Sequence, residues 1–282
     1  MTWRQDSASA AGDDPLDPHA LPPAAALGMF EHLAVTGSTM ERARELASAP
    51  GTPLPALVVA DVQTMGRGRR GARWWQADGS LAASLVVEST QSVPPPTWSL
   101  ACGVALAESV EAVEPTVAAT VRWPNDVEVA GRKLAGILVE TAPFGRAVFG
   151  IGVNTTGASR DAPPPLDARI VTMPDLTGRS LPRQRLLAEF LPRFLRLLDA
   201  MKADPRAFVP RYRLRCSLTG HAVTVHQECP SETPGASRES RRITGICRGI
   251  AEDGGLLLDT VAGPVHVVSG SLTDPADVWR GT

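Results

Sequence analysis

Arg122-Trp123-Pro124-Asn125-Asp126-Val127-Glu128-Val129-Ala130-Gly131-Arg132-Lys133-Leu134-Ala135-Gly136-Ile137-Leu138-Val139-Glu140 is the stretch from which the rest of the chain can be read. Thr120 to Val129 and Lys133 to Glu140 read as two β-strands, with Ala130-Gly131 as the hairpin turn between them. Pro124 fixes the backbone, and Asn125 and Asp126 place an amide and a carboxylate at a sharp bend. If the strands pair across the turn, Lys133 comes back near Asp126. Such a pair could hold a phosphate and approach a nucleophilic amine. The stretch alone leaves open a plain surface ion pair, worth about 0–1 kcal/mol.

Working outward, strands alternate with helices. Leu57 to Ala60 and Leu81 to Val87 read as buried strands, and Ala147 to Val153 as another, ending in Asn154. Trp98 to Val110 has apolar residues near helical spacing at Leu100, Val104, Ala107 and Val110. Gln184 to Met201 carries an apolar stripe interrupted by Pro192, which predicts a kink or two shorter helices. Beyond Leu214 the texture changes to short strands at Ala222 to His226, Arg242 to Ile250, Leu256 to Asp259 and Val265 to Val268. Gly254-Gly255 fits a hairpin turn, and Pro230 to Ser240 reads as a polar loop. Together these predict a small, barrel-like all-β module. Residues 1–27, rich in Ala, Asp and Pro without an apolar face, read as a disordered tail. The predicted division is therefore 1–27, a main domain over 28–213, and a C-terminal domain over 214–282.

Composition excludes more than it selects. The 282 residues are 43% apolar and 21% charged with a formal net charge of −2, so no global field attracts nucleic acid or an anionic membrane. The first residues lack a basic start followed by an apolar stretch. No apolar run approaches the roughly 20 residues that span a bilayer. Cys102, Cys216, Cys229 and Cys247 lie far apart in sequence, without the paired spacing of a zinc site. A reduced, cytoplasmic setting is the expectation.

Three further clusters could carry chemistry. Gly66-Arg67-Gly68-Arg69-Arg70-Gly71 follows a buried strand and Gln63. Its glycines permit close backbone approach, and its arginines offer planar donor forks for carboxylate or phosphate. With Arg73, four arginines fall within seven positions and would repel one another without an anion. The segment lacks the Gly-Lys-Ser/Thr ending of a P-loop. Ser38 with Glu41 matches a helix capping box, while the hydroxyls of Ser38 and Thr39 also suit a polar ligand. Gly150 and Gly152 would let a flat ligand lie on the strand that ends at Asn154.

Taken in order, Gly37-Ser38-Thr39, Gln63 with Gly66 to Gly71 and Trp74, Trp123 to Asp126, Lys133 to Glu140 and Gly150 to Asn154 resemble the biotin–protein ligases. The resemblance is strong over about Glu31 to Thr155 and looser in the C-terminal module. It implies an α+β fold, a mixed β-sheet flanked by helices and related to class II tRNA synthetase catalytic domains, plus a small SH3-like barrel. The implied reaction forms biotinyl-5′-AMP from biotin and ATP, with Mg2+ accompanying the nucleotide, and passes biotin to a lysine of a biotin carboxyl carrier protein or domain. The implied catalytic residues are Arg69, Lys133 and Asp126. Those for biotin are Ser38, Thr39, Gln63, Gly66, Arg67, Arg69, Ser84, Lys133, Gly136 and Leu138. Those for ATP and the adenylate are Arg67, Arg69, Trp74, Asn125, Lys133 and Asn154.

The chain departs from the family pattern at Met40, where asparagine is common, at Ala72, where a basic residue is usual, and at Arg122, where lysine is usual. Gln76 to Gly79 also lack the common Ser-Pro-x-Gly form. About 27 residues precede the catalytic segment, which implies the type without an N-terminal DNA-binding domain, as a monomer or weak homodimer. The alternatives are a lipoate–protein ligase, whose Arg-Arg-x-Ser-Gly-Gly-Gly run is absent, and a non-catalytic biotin-responsive regulator, against which Lys133 and the missing helix-turn-helix argue.

Overall fold

Residues 119–142 form three strands where the sequence predicts two. β5 (Ala119–Arg122) and β6 (Asp126–Val129) pair antiparallel with Arg122 opposite Asp126. The expected single strand breaks because Pro124 has no N–H for a ladder and fixes its own φ. The predicted turn is present, with Ala130 at φ 51° and Gly131 at φ 72°, the left-handed pair that a two-residue hairpin needs. β7 (Arg132–Ala142) returns alongside β6, with Asp126 opposite Gly136 and Glu128 opposite Lys133. Between these pairs the register shifts by one residue. The bulge lets consecutive Leu134 and Ala135 both enter the core and turns Lys133 back to the face of Gly136.

The computed structural model describes residues 2–5, 14–22, 25, 27–89, 95–229 and 239–272. Its main sheet adds β8 (Arg146–Val153), β4 (Leu81–Glu88), β3 (Ala56–Gln63), β2 (Met29–Thr36) and β1 (Thr2–Gln5), in the order β1-β2-β3-β4-β8-β7-β6-β5. β1, β2 and β3 run parallel and the remaining pairings are antiparallel, so the sheet is mixed.

Alternation along the strands assigns the two faces. Leu57, Val59, Leu85, Phe149 and Ile151 join the large core beneath α2 (Pro95–Val113) and α5 (Arg183–Ala203). α2 is buried almost all round, with Leu100, Val104, Leu106 and Val110 at 0% exposure, which explains its weak polarity contrast. On the opposite face, α1 (Thr39–Ser48) packs Met40, Ala43 and Ala47 against Val58, Val86 and Val148. α5 continues through Pro192 as one helix, so of the predicted kink or two shorter helices the second does not form. Phe190 and Phe194 stack at 5.3 Å, Phe149 meets Phe194 edge-on at 4.9 Å, and the Arg193 guanidinium donates to the Glu189 carbonyl beside the proline.

After the short helices α3 (Leu166–Arg169), α4 (Met173–Thr177) and α6 (Val209–Arg213) comes a four-stranded antiparallel meander. It consists of β9 (Ala222–Cys229), β10 (Glu239–Ile250), β11 (Leu256–Thr260) and β12 (Gly263–Val267), with one further bridge from His226 to Ser271. Residues 230–238 of the expected polar loop lie outside the described residues. Val225, Ile243, Cys247 and Leu256 belong to the same hydrophobic cluster as the main sheet. The segment between α6 and β9 also pairs with the sheet's outer strand. Val121 donates to the Arg215 carbonyl at 2.7 Å and accepts from Ser217 at 3.2 Å.

The sequence predicts no ordered structure before residue 28, yet Leu16, Leu21 and Ala25 are buried in the main core. Asp14 accepts from the Arg183 backbone at 2.8 Å, and Asp17 and Gln184 exchange two hydrogen bonds of 3.0 Å. These apolar residues are too sparse to show a period, but the start of α5 supplies them a dock. Among the described residues no helix is long and apolar enough to cross a membrane.

Candidate active site

On the α1 face of the sheet a cavity of about 560 Å³ opens between the α1 N-terminus, the loop after β3, and β6 to β8. Ser38, Thr39, Gln63, Arg67, Arg69, Trp74, Asn125, Asp126, Lys133, Gly136 and Leu138 all line it. The sequence separates these residues by up to a hundred positions, and the fold brings them to one wall.

One part of the cavity is hydroxyl- and amide-lined. The Gln63 side-chain amide oxygen accepts from the Thr39 backbone N–H at 2.9 Å and the Thr39 hydroxyl at 3.1 Å, and the Ser84 hydroxyl donates to the Thr39 hydroxyl at 2.8 Å. Ser84 therefore stands behind Thr39, off the cavity wall. Ser38 caps α1 without a side-chain cap bond, and its buried hydroxyl has no partner among the described residues. The expected capping box does not close, because Glu41 is paired with Arg67 instead. A buried hydroxyl left unsatisfied is costly, so Ser38 is open to a polar ligand.

The other part is charged. Lys133 Nζ lies 2.7 Å from Asp126 and 5.7 Å from the Trp74 ring centre. Arg69 donates to the Asn125 amide oxygen at 3.2 Å, and Asn125 in turn donates to the Ile137 carbonyl at 2.8 Å. Burial, and then the charge of Arg70, push the Arg69 guanidinium below its ordinary value, with Asp126 opposing. A cation that is costly to bury favours an incoming anion. Asn154 does not line the cavity. Its amide donates to the Val171 carbonyl at 3.1 Å and reaches the Lys133 carbonyl at 3.5 Å, so it braces the backbone of Lys133 from behind.

The arginine loop is folded back on itself. Arg67 bridges Arg73, Gly68 donates to the Ala72 carbonyl at 2.8 Å, and Trp74 donates to the Gly66 carbonyl at 3.0 Å. Gly66 thus frames the loop and stands off the wall. Arg70 takes a left-handed φ of 55°. Repulsion among the arginines was expected without an anion. In the structure each finds a protein acceptor: Arg67 takes Glu41, Arg69 takes Asn125, Arg70 the His226 carbonyl, and Arg73 the Thr64 carbonyl.

The two strand glycines are covered by the chain's own side chains. A Cβ on Gly152 would come within 2.4 Å of the Trp74 indole, and one on Gly150 within 2.6 Å of the Met40 sulfur. Only glycine allows this approach. Met40 thus fills apolar space over Gly150. Arg169 and Ile170 also line the cavity, held there by the bridge between Lys133 and Ile170, a contact with no local signal in sequence. Glu128 is buried on the charged wall; it lies two residues from Asp126 and so shares its strand face, but no motif marks it.

Residues 33–155 match the model of the biotin/lipoate A/B protein ligase family. Over 249 residues the chain is 35% identical to the biotin–[acetyl-CoA-carboxylase] ligase of Mycobacterium tuberculosis, which spans 84% of this chain and 85% of that protein. The ligase of the same name from Paracoccus denitrificans is 32% identical over 238 residues, 82% of this chain and 94% of its own length. Among solved structures, the biotin protein ligase from Aquifex aeolicus in complex with biotin and ATP aligns with a TM-score of 0.72 at 27% identity, over 86% of this chain and 96% of that one.

Proposed function

Since this chain belongs to the biotin protein ligases, we propose that biotin and ATP react in the cavity beside Trp74 and that Arg69, Lys133 and Asp126 do the chemistry. The biotin carboxylate attacks the α-phosphorus of ATP, giving biotinyl-5′-AMP and pyrophosphate. A lysine amine of a biotin carboxyl carrier domain then attacks the acyl carbon and releases AMP. Both transition states gather negative charge on oxygen, so fixed cations contribute most. The observation that carries this reading is the convergence of Arg69, Lys133 and Asp126 in one cavity with the unpartnered hydroxyl of Ser38.

Ser38, Thr39 and Gln63 hold the ureido group, while Gly136, Leu138 and Met40 line the apolar part. Arg69 and Lys133 clamp the biotin carboxylate and the α-phosphate. Arg67 exchanges Glu41 for phosphate, and Asp126 receives the acceptor ammonium once Lys133 turns to the phosphate. Mg2+ would enter with ATP, held by the triphosphate oxygens whose charge it neutralises. The test is isotope exchange between pyrophosphate and ATP without acceptor. It should depend on biotin, and exchange supported by lipoate and not by biotin would overturn the assignment.

The loop carries a second expectation. Its arginines are held by single hydrogen bonds and one exposed ion pair, worth about 0–1 kcal/mol, so the arginine segment opens readily in the free protein and closes on the intermediate. Closure keeps out water that would hydrolyse the mixed anhydride. Trypsin should cut quickly at Arg67 to Arg73 in the free protein and slowly with biotin plus ATP, while cutting at Arg241 stays constant. Equal responses at all sites, or a loop resistant without ligand, would mean a preformed pocket.

A further inference from the structure

Glu128 is a carboxylate that the roles above leave unused. It sits on β6 two residues beyond Asp126, hence on the same strand face, and faces Lys133 across the β6–β7 ladder. Only 5% of it is exposed. A second groove of about 610 Å³ runs between β5, β6 and residues 217–224, and Glu128 lines both this groove and the catalytic cavity. Arg122, Gly131 and Leu272 share that position, so the two spaces meet at Glu128.

We propose that Glu128 takes the proton from the acceptor lysine in the transfer step, the lysine side chain entering from this second groove. The inference rests on the ligase reading and assigns a residue to its second half-reaction. An acceptor lysine arrives as an ammonium and cannot attack until it loses a proton. Asp126, a quarter exposed, is already ion-paired with Lys133 at 2.7 Å. Glu128 differs in its surroundings. Burial raises its carboxyl above the usual carboxylate value, Arg122 at 3.6 Å and Ser217 pull it back, Asp126 pushes it up and Lys133 lowers it. Tyr212 of α6 and His221 on the groove wall are the other titratable groups nearby. Of the two carboxylates on this face, Glu128 is the one that also borders the second groove.

The step balances as follows. One ammonium proton passes to a Glu128 oxygen, and the freed lone pair forms the N–C bond at the acyl carbon. The bond from acyl carbon to phosphate oxygen breaks, its electrons leaving with AMP. A second nitrogen proton goes to the departing phosphate, and the third remains on the amide. Glu128 then releases its proton to water in the groove.

The test uses the full chain, biotinyl-5′-AMP and a biotin carboxyl carrier domain in single-turnover transfer from pH 6 to 9. E128Q should slow transfer at least about 10²-fold at neutral pH, the scale of lost general-base catalysis. The deficit should shrink as pH rises towards the lysine's own pKa of about 10.4. Hydroxylamine, whose nitrogen is already unprotonated at neutral pH, should restore turnover of biotinyl-5′-AMP towards the wild-type rate. A deficit equal for both nucleophiles and flat with pH would make Glu128 a partner of Arg122 in the hairpin and no more. Should E128Q not fold, E128D decides in the same way: a loss specific to lysine supports the role, and an equal loss overturns it. Wild-type protein unable to transfer from biotinyl-5′-AMP would instead sink the ligase reading itself.

Discussion

Lys133→Ala lowers the rate of biotinyl-adenylate formation by at least about 10²-fold, the scale for losing one donor to a developing oxyanion. The ammonium is set for this role by the bulge at Leu134. Without the shift in register Lys133 would point into the core side of the sheet, where Leu134 and Ala135 now lie. Its stem is part-exposed, at 30%, and its ion pair with Asp126 is a partly solvated one, so folding should scarcely change. Pyrophosphate exchange and a thermal melt, measured on the same preparation, separate the two quantities. A variant that exchanges at near the wild-type rate would reduce Lys133 to a surface cation.

Asp61→Ala should act on stability with comparable force, costing about 3–5 kcal/mol, the range for breaking a buried ion pair by removing one partner. Asp61 on β3 accepts from Arg183 at 2.7 Å and lies 2.9 Å from His32 Nε2, with Arg183 1% and Asp61 2% exposed. Asp14 gives Arg183 a second, weaker partner at 3.3 Å. Burial by itself would raise the Asp61 carboxyl, but the hydrogen bonds and charges of Arg183 and His32 outweigh it and hold the carboxyl below its usual value. The folded state therefore binds that proton less tightly than the unfolded chain does. The stabilisation is complete above the unfolded value of about 3.9 and is lost as pH falls through the lower folded value. Urea unfolding across pH 2.5 to 6 should show a drop below about pH 4 that Asp61→Asn flattens. Parallel curves for the two proteins would show that the carboxyl carries no such linkage.

What sequence made legible was whatever is local. The Ala130-Gly131 turn, the strand over β8 and the stripe of α5 each announce themselves within a dozen residues. The ordered motifs also group Arg69, Asp126 and Lys133, which line one cavity. Three kinds of feature stayed hidden. The bulge at Leu134 depends on the partner strand, since two adjacent core residues look like a lapse in alternation until β6 is seen. The docking of Leu16 and Leu21 depends on Arg183 and Gln184, more than 160 positions away. Asn154 reads as a ligand contact from its motif, yet its amide nitrogen donates to the Val171 carbonyl, while its buried side-chain oxygen has no partner among the described residues. Glu128 is the opposite case: a period of two from Asp126 places it on the same strand face, although no motif marks it.

The pairing of Val121 with Arg215 and Ser217 bears on how the protein is made. β5 ends the main sheet, and until residues 215–217 leave the ribosome its outer N–H and C=O groups have no partner. An unpaired strand edge invites another nascent chain to add on. For the interval of synthesis between β5 and α6 the nearly finished sheet is thus a template for association between copies. The chain ends that hazard itself, with a segment whose arrival also begins the C-terminal meander. Ribosome-bound chains stalled while residues 215–217 are still inside the exit tunnel should need chaperones more than chains long enough to have released that segment.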